Sequence, residues 1–95
     1  MPLDQIEIPG ALRLLLALSE RNRYITEVLR KRSNPEGFIS QTSLDECRDK
    51  MGKRGLGLIE EHMDEGPRPK THLVITEKGR KVAELVKRIQ TVLKD

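Results

Sequence analysis

The sequence predicts an α+β domain that is mainly α-helical, with three helices, a two-stranded hairpin and a long C-terminal helix. Three observations predict this order. Apolar residues recur at helical spacing in the first half of the chain, two short apolar runs flank a segment rich in Gly and Pro, and an apolar stripe of nearly heptad period follows Thr76. A chain of 95 residues is long enough for one modest core. We therefore expect a single domain over residues 1–95.

The first helix is predicted from Gly10 onward, after a short arm that ends at Pro9. Leu12, Leu15 and Leu16 are expected to form its buried face, with Ala11 and Leu18 as further candidates. Arg21 to Arg23 interrupt the apolar pattern.

A second helix is predicted after an extended entry at Tyr24 and Ile25, with Thr26 as its N-cap. Val28 and Leu29 should face inward, and the basic run 30–32 should lie near the C-terminal end, where cations are favoured. Pro35 and Gly37 then indicate a loop over residues 33–37.

The third helix has two candidate starts. Ser40 could cap it, or Ser43 could do so in a capping box closed by Glu46. The apolar residues of this helix recur at spacings of three and four, which predicts one narrow buried stripe of Leu44, Cys47 and Met51. The helix should end at Gly52 or Gly55.

Two strands are predicted at Leu58–Met63 and Lys70–Ile75, joined by the segment 64–69, whose glycine and two prolines suit a hairpin tip. Thr76 is the expected N-cap of the last helix, which should run from Glu77 to about Leu93.

Charge is distributed unevenly along the chain, although the formal net charge is only +3. Residues 1–39 carry +1, residues 40–66 carry −3 and residues 67–95 carry +5. Positive potential is therefore expected in the C-terminal third, where an acidic partner would be attracted.

The composition argues against several classes of protein. One cysteine cannot form an intramolecular disulfide, and no export signal or long apolar run is present, so a reducing cytoplasm and no membrane partner are expected. We find no nucleophile–base pair, carboxylate dyad or phosphate-binding loop and expect no catalysis and no cofactor. His62 and His72 could face each other across the hairpin, but one cysteine and irregular ligand spacing argue against a metal site.

Several short motifs occur in a consistent order. Ile25-Thr26-Glu27 opens the second helix, residues 39–44 (Ile-Ser-Gln-Thr-Ser-Leu) lead into the third, Gly55-Leu56 closes it, and residues 75–79 (Ile-Thr-Glu-Lys-Gly) follow the hairpin. Over about residues 10 to 85 this order resembles the small winged helix-turn-helix regulators of archaea and archaeal viruses and, more loosely, MarR-like repressors.

The resemblance implies a homodimeric transcriptional regulator that binds double-stranded DNA, with the third helix in the major groove and the wing on the backbone or minor groove. The residues expected to contact DNA are short polar groups at the helix start, two cations farther along it and two cations on the wing: Ser40, Gln41, Thr42, Ser43, Arg48, Lys50, Arg68 and Lys70. Nothing in the sequence identifies a small-molecule effector.

Two features depart from this pattern. The loop 33–37 is longer than a usual helix-turn-helix connection, and the third helix exposes Asp45, Glu46 and Asp49, which phosphates would repel. The alternative is a winged-helix module for protein–protein interaction that uses this acidic helix to bind a basic partner. Ser43 could equally be a purely structural cap.

The last helix carries more apolar residues than one small domain can cover. Val82 and Leu85 are expected to pack on the domain core, whereas Ile89, Val92 and Leu93 lie farther out. Burying one such side chain is worth roughly 1.5 to 3 kcal/mol. We therefore expect helix 77–94 to contribute to a homodimer through Leu85, Ile89, Val92 and Leu93.

Overall fold

Helices and an antiparallel sheet share one hydrophobic core, so the predicted α+β class is confirmed. The computed structural model describes residues 2–95. In chain order its elements are a 3-10 helix (Pro2–Ile6), α1 (Ala11–Glu20), β1 (Arg23–Tyr24), α2 (Ile25–Val28), α3 (Gln41–Lys50), β2 (Ile59–Met63), β3 (Thr71–Ile75) and α4 (Glu77–Lys94).

The sheet has the strand order β1-β3-β2, with both pairings antiparallel. The predicted hairpin is confirmed, and its register runs from Ile59 opposite Ile75 to Met63 opposite Thr71. The sheet nevertheless has three strands rather than the predicted two, because β1 adds to the free edge of β3. A strand of two residues is too short to show an alternating pattern in the sequence.

The core lies between α1, α3 and the inner face of the sheet. Leu44, Cys47 and Met51 are fully buried along α3 and its C-cap, as the spacing predicted. Leu73 and Ile59 are buried from the sheet side. Side chains alternate along the strands, so the outer face of the hairpin is left to polar residues such as His62 and His72.

The predicted buried face of α1 was partly wrong. Ala11, Leu15 and Leu18 are buried as expected, but Leu14 is fully buried, Leu16 is only half-buried and Leu12 is 39% exposed. A run of consecutive leucines permits more than one inward face, and the sequence alone does not show on which side the sheet and α4 pack.

The second helix is much shorter than predicted, since α2 ends at Val28 after one turn and has Tyr24 rather than Thr26 as its N-cap. The Asn34 side-chain amide caps its end, with the two N–H groups of Nδ2 shared among the backbone carbonyls of Thr26, Glu27 and Leu29 at 2.8, 3.0 and 3.1 Å. These carbonyls would otherwise lack partners at a helix end. The basic run 30–32 therefore lies in the connection between α2 and α3 and not on a helix.

Hydroxyl caps begin the two remaining helices. Ser40 accepts from the backbone N–H of Ser43 at 3.2 Å, which confirms the first of the two candidate starts of α3. Thr76 accepts from the N–H of Gly79 at 3.0 Å, as predicted for α4. Gly79 lies against the sheet so closely that a Cβ there would meet the Leu58 carbonyl oxygen at 2.1 Å.

The last helix packs against α1 through its first half only. Ala83 and Val86 are buried, whereas the exposed fraction rises to 77% at Leu93. Within residues 2–95, no helix combines the length and the apolarity that crossing a membrane requires.

Candidate nucleic-acid interface

The first turn of α3 presents short polar side chains to solvent. Gln41 and Thr42 are exposed, and this turn contains no acidic residue. Ser40 and Ser43 are half-buried. The backbone N–H of Ser43 donates to the Ser40 hydroxyl in the cap that begins the helix. Of the four residues predicted here, Gln41 and Thr42 are therefore the two that are exposed, although the Gln41 amide donates to Asp45.

A chain of polar contacts connects this turn to the hairpin. Gln41 donates to Asp45 at 2.9 Å, and Asp45 lies 3.7 Å from the Arg48 guanidinium. Arg48 in turn donates through Nε to the Glu61 carboxylate on β2 at 2.6 Å. Arg48, which was predicted to contact DNA, is 34% exposed and forms salt bridges with Glu61 and Asp45, so it connects α3 to the hairpin.

Lys50, the other cation predicted on this helix, lies 3.8 Å from Glu46 one turn earlier. A shallow groove runs between α3 and β2, and its charges balance. It is lined by the acidic residues Asp45, Asp49 and Glu61 and the basic residues Arg48, Lys53 and Arg54. The middle of α3 therefore offers a polyanion little net attraction.

At the hairpin tip, Arg68 and Lys70 are both exposed. The Lys70 ammonium lies 5.8 Å from the centre of the Tyr24 ring, within the range of a cation–π contact. Tyr24 also donates its hydroxyl to Asp64 at 2.8 Å, and this hydrogen bond to a carboxylate raises the pKa of the tyrosine. The two ends of the hairpin tip, Asp64 and Lys70, are thus tied to Tyr24 on β1.

His62 and His72 are paired across the hairpin, as predicted, with ring centres 5.8 Å apart. Each histidine has a carboxylate neighbour. Nε2 of His62 lies 3.0 Å from Glu60, and Nδ1 of His72 lies 3.0 Å from Asp64, the latter without hydrogen-bond alignment. Among residues 2–95, no three groups of metal-ligating type come together at one point.

The structure brings two further cationic segments near the ends of α3, and neither is among the eight residues expected to contact DNA. We call residues 30–32, which follow α2 and hydrogen-bond through Arg30 to Ile39 just before α3, the basic loop, and Lys53 with Arg54, just after α3, the basic turn. All five side chains are exposed, and within the described part of the chain none forms a salt bridge. The signal in the sequence was the clustering of cations within each short segment.

An apolar surface lies on another part of the molecule. The four residues predicted for a dimer interface are more than half exposed: Leu85 at 55%, Ile89 at 54%, Val92 at 69% and Leu93 at 77%. A groove beside them is lined by Leu85 and Ile89 together with Leu3 and Leu12. The N-terminal segment therefore extends this surface, which the sequence analysis did not anticipate because Leu12 was assigned to the core.

A scan against models of protein families, a search of curated proteins and a search of solved structures each found no match to this chain.

Proposed function

We propose that this chain is a winged helix-turn-helix regulator that binds double-stranded DNA sequence-specifically as a homodimer, with α3 in the major groove. One observation carries the proposal. Gln41 and Thr42 in the first turn of α3 are exposed, this turn contains no carboxylate, and cations that form no salt bridge among the described residues lie near each end of the helix. Phosphates attract such cations, and short polar side chains at a helix start can reach base edges.

In this account the residues on α3 have different roles. Gln41 and Thr42 read base edges, whereas Ser40 and Ser43 form the cap that orients them. Arg48 holds the hairpin in position through Glu61 and makes no base contact of its own. On the wing, Arg68 is the principal phosphate contact, since its exposed side chain has no acidic partner among the described residues.

Homodimerisation follows from the apolar surface on α4. A second copy that covers Leu85, Ile89, Val92 and Leu93 removes side chains that are 54 to 77% exposed from water. A two-fold axis would also place two copies of α3 on one duplex, and half-sites would then be separated by about 10 base pairs or a multiple.

Selection of bound duplexes from a random pool tests this function. We expect enrichment of a pseudo-palindromic sequence, and its enrichment should be lost with Gln41→Ala. Exposed Gln90→Ala on α4 is a matched control and should enrich the same sequence. A pool that shows no enrichment after several rounds with the wild-type chain would contradict sequence-specific binding.

A second candidate function is docking of a basic protein partner on α3. The observation that favours it is the exposed acidic surface formed by Asp45, Glu46 and Asp49 in the middle of the helix. A titration of the chain with a lysine- and arginine-rich peptide tests it. Binding that Asp49→Asn weakens, together with failure to retain any duplex at low salt, would favour this function over the first.

A further inference from the structure

We propose that the basic loop and the basic turn, rather than the wing, provide most of the phosphate contacts that hold α3 on DNA. The inference rests on the proposed function, because it names how the same helix would be anchored. It begins from a difference between the cations of the molecule. Those on α3 itself form salt bridges with carboxylates, whereas those at the two ends of α3 form none among the described residues, although Lys53 and Arg54 line the groove that also holds Asp49 and Glu61.

The basic loop lies directly beside the start of α3. Arg30 donates its backbone N–H to the carbonyl of Ile39 at 2.8 Å, and Ile39 immediately precedes the N-cap Ser40. Ile39 and Phe38 donate back to the Val28 carbonyl at 3.2 and 3.0 Å. The three cations of residues 30–32 are thereby held next to the carboxylate-free first turn of the helix.

The basic turn lies at the opposite end of α3 and is also held by hydrogen bonds. The backbone N–H of Leu56 donates to the Lys50 carbonyl at 2.9 Å, and that of Gly57 donates to Gly52 at 2.9 Å. From α4, Lys78 donates to the Leu56 carbonyl at 2.9 Å. Lys53 and Arg54 therefore project from a turn that both helices fix.

The separation of the two cationic segments suits a duplex. The ten residues of α3 rise about 15 Å, at 1.5 Å per residue. The major groove is about 12 Å wide, so cations beyond the two ends of a helix in that groove can reach phosphates on both sides of it.

Preorganisation favours these segments over the wing. The basic loop is held by backbone hydrogen bonds of Arg30 with Ile39 and of Lys31 with Asn34, and the basic turn by the contacts of Lys78 and Thr76. Beyond the pair formed by the Asp64 N–H and the Lys70 carbonyl at 3.0 Å, residues 65–69 of the tip have no hydrogen bond in the described structure. A segment that is already ordered loses less conformational entropy on binding than a mobile one does.

Fluorescence anisotropy with a labelled random duplex, measured from low to moderate salt, tests the inference. Two double variants remove the cations in question, Arg30→Ala with Lys31→Ala and Lys53→Ala with Arg54→Ala. Since each phosphate contact contributes about 0.9 to the log–log salt slope, each pair should reduce the slope by about 1.8. Circular dichroism should be unchanged, since all four side chains are exposed.

Two further pairs complete the experiment. Arg88→Ala with Lys94→Ala removes exposed cations from the last turns of α4 and should leave the slope unchanged, while Arg68→Ala with Lys70→Ala should reduce it by less than either test pair. A wild-type slope retained by both test pairs would overturn the inference and leave DNA binding intact. Absence of any wild-type binding would instead overturn the proposed function, and this inference with it.

Discussion

Arg48 on α3 and Glu61 on β2 are joined by a hydrogen bond of 2.6 Å from Nε to the carboxylate. The two residues are thirteen positions apart in the sequence and connect the last turn of the helix to the hairpin. Their side chains are 34 and 39% exposed, so water screens the pair and its contribution to stability is small, about 0 to 1 kcal/mol. Its main consequence is geometric, because it removes one cation from the solvent face of α3 and fixes the hairpin beside it.

Glu61→Gln should strengthen DNA binding. The substitution removes a negative charge from the groove between α3 and β2 and frees the Arg48 guanidinium for a phosphate. One surface charge near a phosphate corresponds to about 1 kcal/mol, or roughly fivefold in affinity at low salt. Anisotropy with a duplex that the wild type binds measures this.

The control for this substitution is Glu84→Gln, which removes a carboxylate paired with Lys87 at 3.3 Å on α4. Its affinity should equal that of the wild type. Weaker binding by Glu61→Gln would mean that the position of the hairpin matters more than the charge, contrary to the prediction.

Asn34→Ala should lower the free energy of unfolding by about 1 to 3 kcal/mol, because it leaves the carbonyls at the end of α2 without their donor. Urea denaturation followed by circular dichroism measures the loss. Asn22→Ala is the matched control, since Asn22 is exposed and its side chain has no hydrogen bond in the described structure. Equal stability of the two variants would show that the amide of Asn34 does not hold the loop.

The thiol of Cys47 should make stability depend on pH in the alkaline range. Burial raises its pKa from 9.0 to about 11, so the folded chain retains a proton that the unfolded chain loses. This contribution to stability is complete below pH 9 and is lost as pH rises toward 11, at up to about 1.4 kcal/mol per pH unit.

Comparison with Cys47→Ala isolates this effect, since the variant keeps every other ionisable group of the chain. The difference in unfolding free energy between the two proteins should shrink between pH 9 and 11. If the difference in unfolding free energy did not change with pH, the raised pKa of Cys47 would be contradicted. The native thiol should also react slowly with iodoacetamide at pH 8, because the side chain is fully buried.

Ile89→Glu should convert the chain to a monomer. Ile89 is 54% exposed in a single chain, and in a two-fold dimer the substituted side chain enters the interface twice. Light scattering after size-exclusion chromatography measures the mass. Met63→Glu replaces a side chain that is 67% exposed on the hairpin and should remain dimeric. A wild-type chain that elutes as a monomer at high concentration would refute the dimer.

Features with a local signal were predicted well from the sequence. The Thr76 cap, the hairpin with its tip at residues 64–69 and the buried stripe of Leu44, Cys47 and Met51 each depend on residues within a few positions of one another. The pairing of His62 with His72 followed in the same way from the symmetry of the hairpin.

Features that depend on distant residues could not be predicted. α2 ends where it does because Asn34 reaches back five to eight positions, and β1 exists because β3 leaves an edge open to it. The Arg48 guanidinium donates to Glu61, which lies on a strand that is distant in the sequence. Helical periodicity places a side chain on a face but does not identify which neighbour will bind it.

The central claim is that α3 and the cations at its ends contact duplex DNA, and an NMR titration of the ¹⁵N-labelled chain with a bound duplex tests it most directly. We predict the largest amide shifts at Gln41, Thr42, the basic loop and the basic turn, with smaller shifts at the hairpin tip. Shifts confined to α4, with α3 unaffected at a saturating concentration of duplex, would contradict the account.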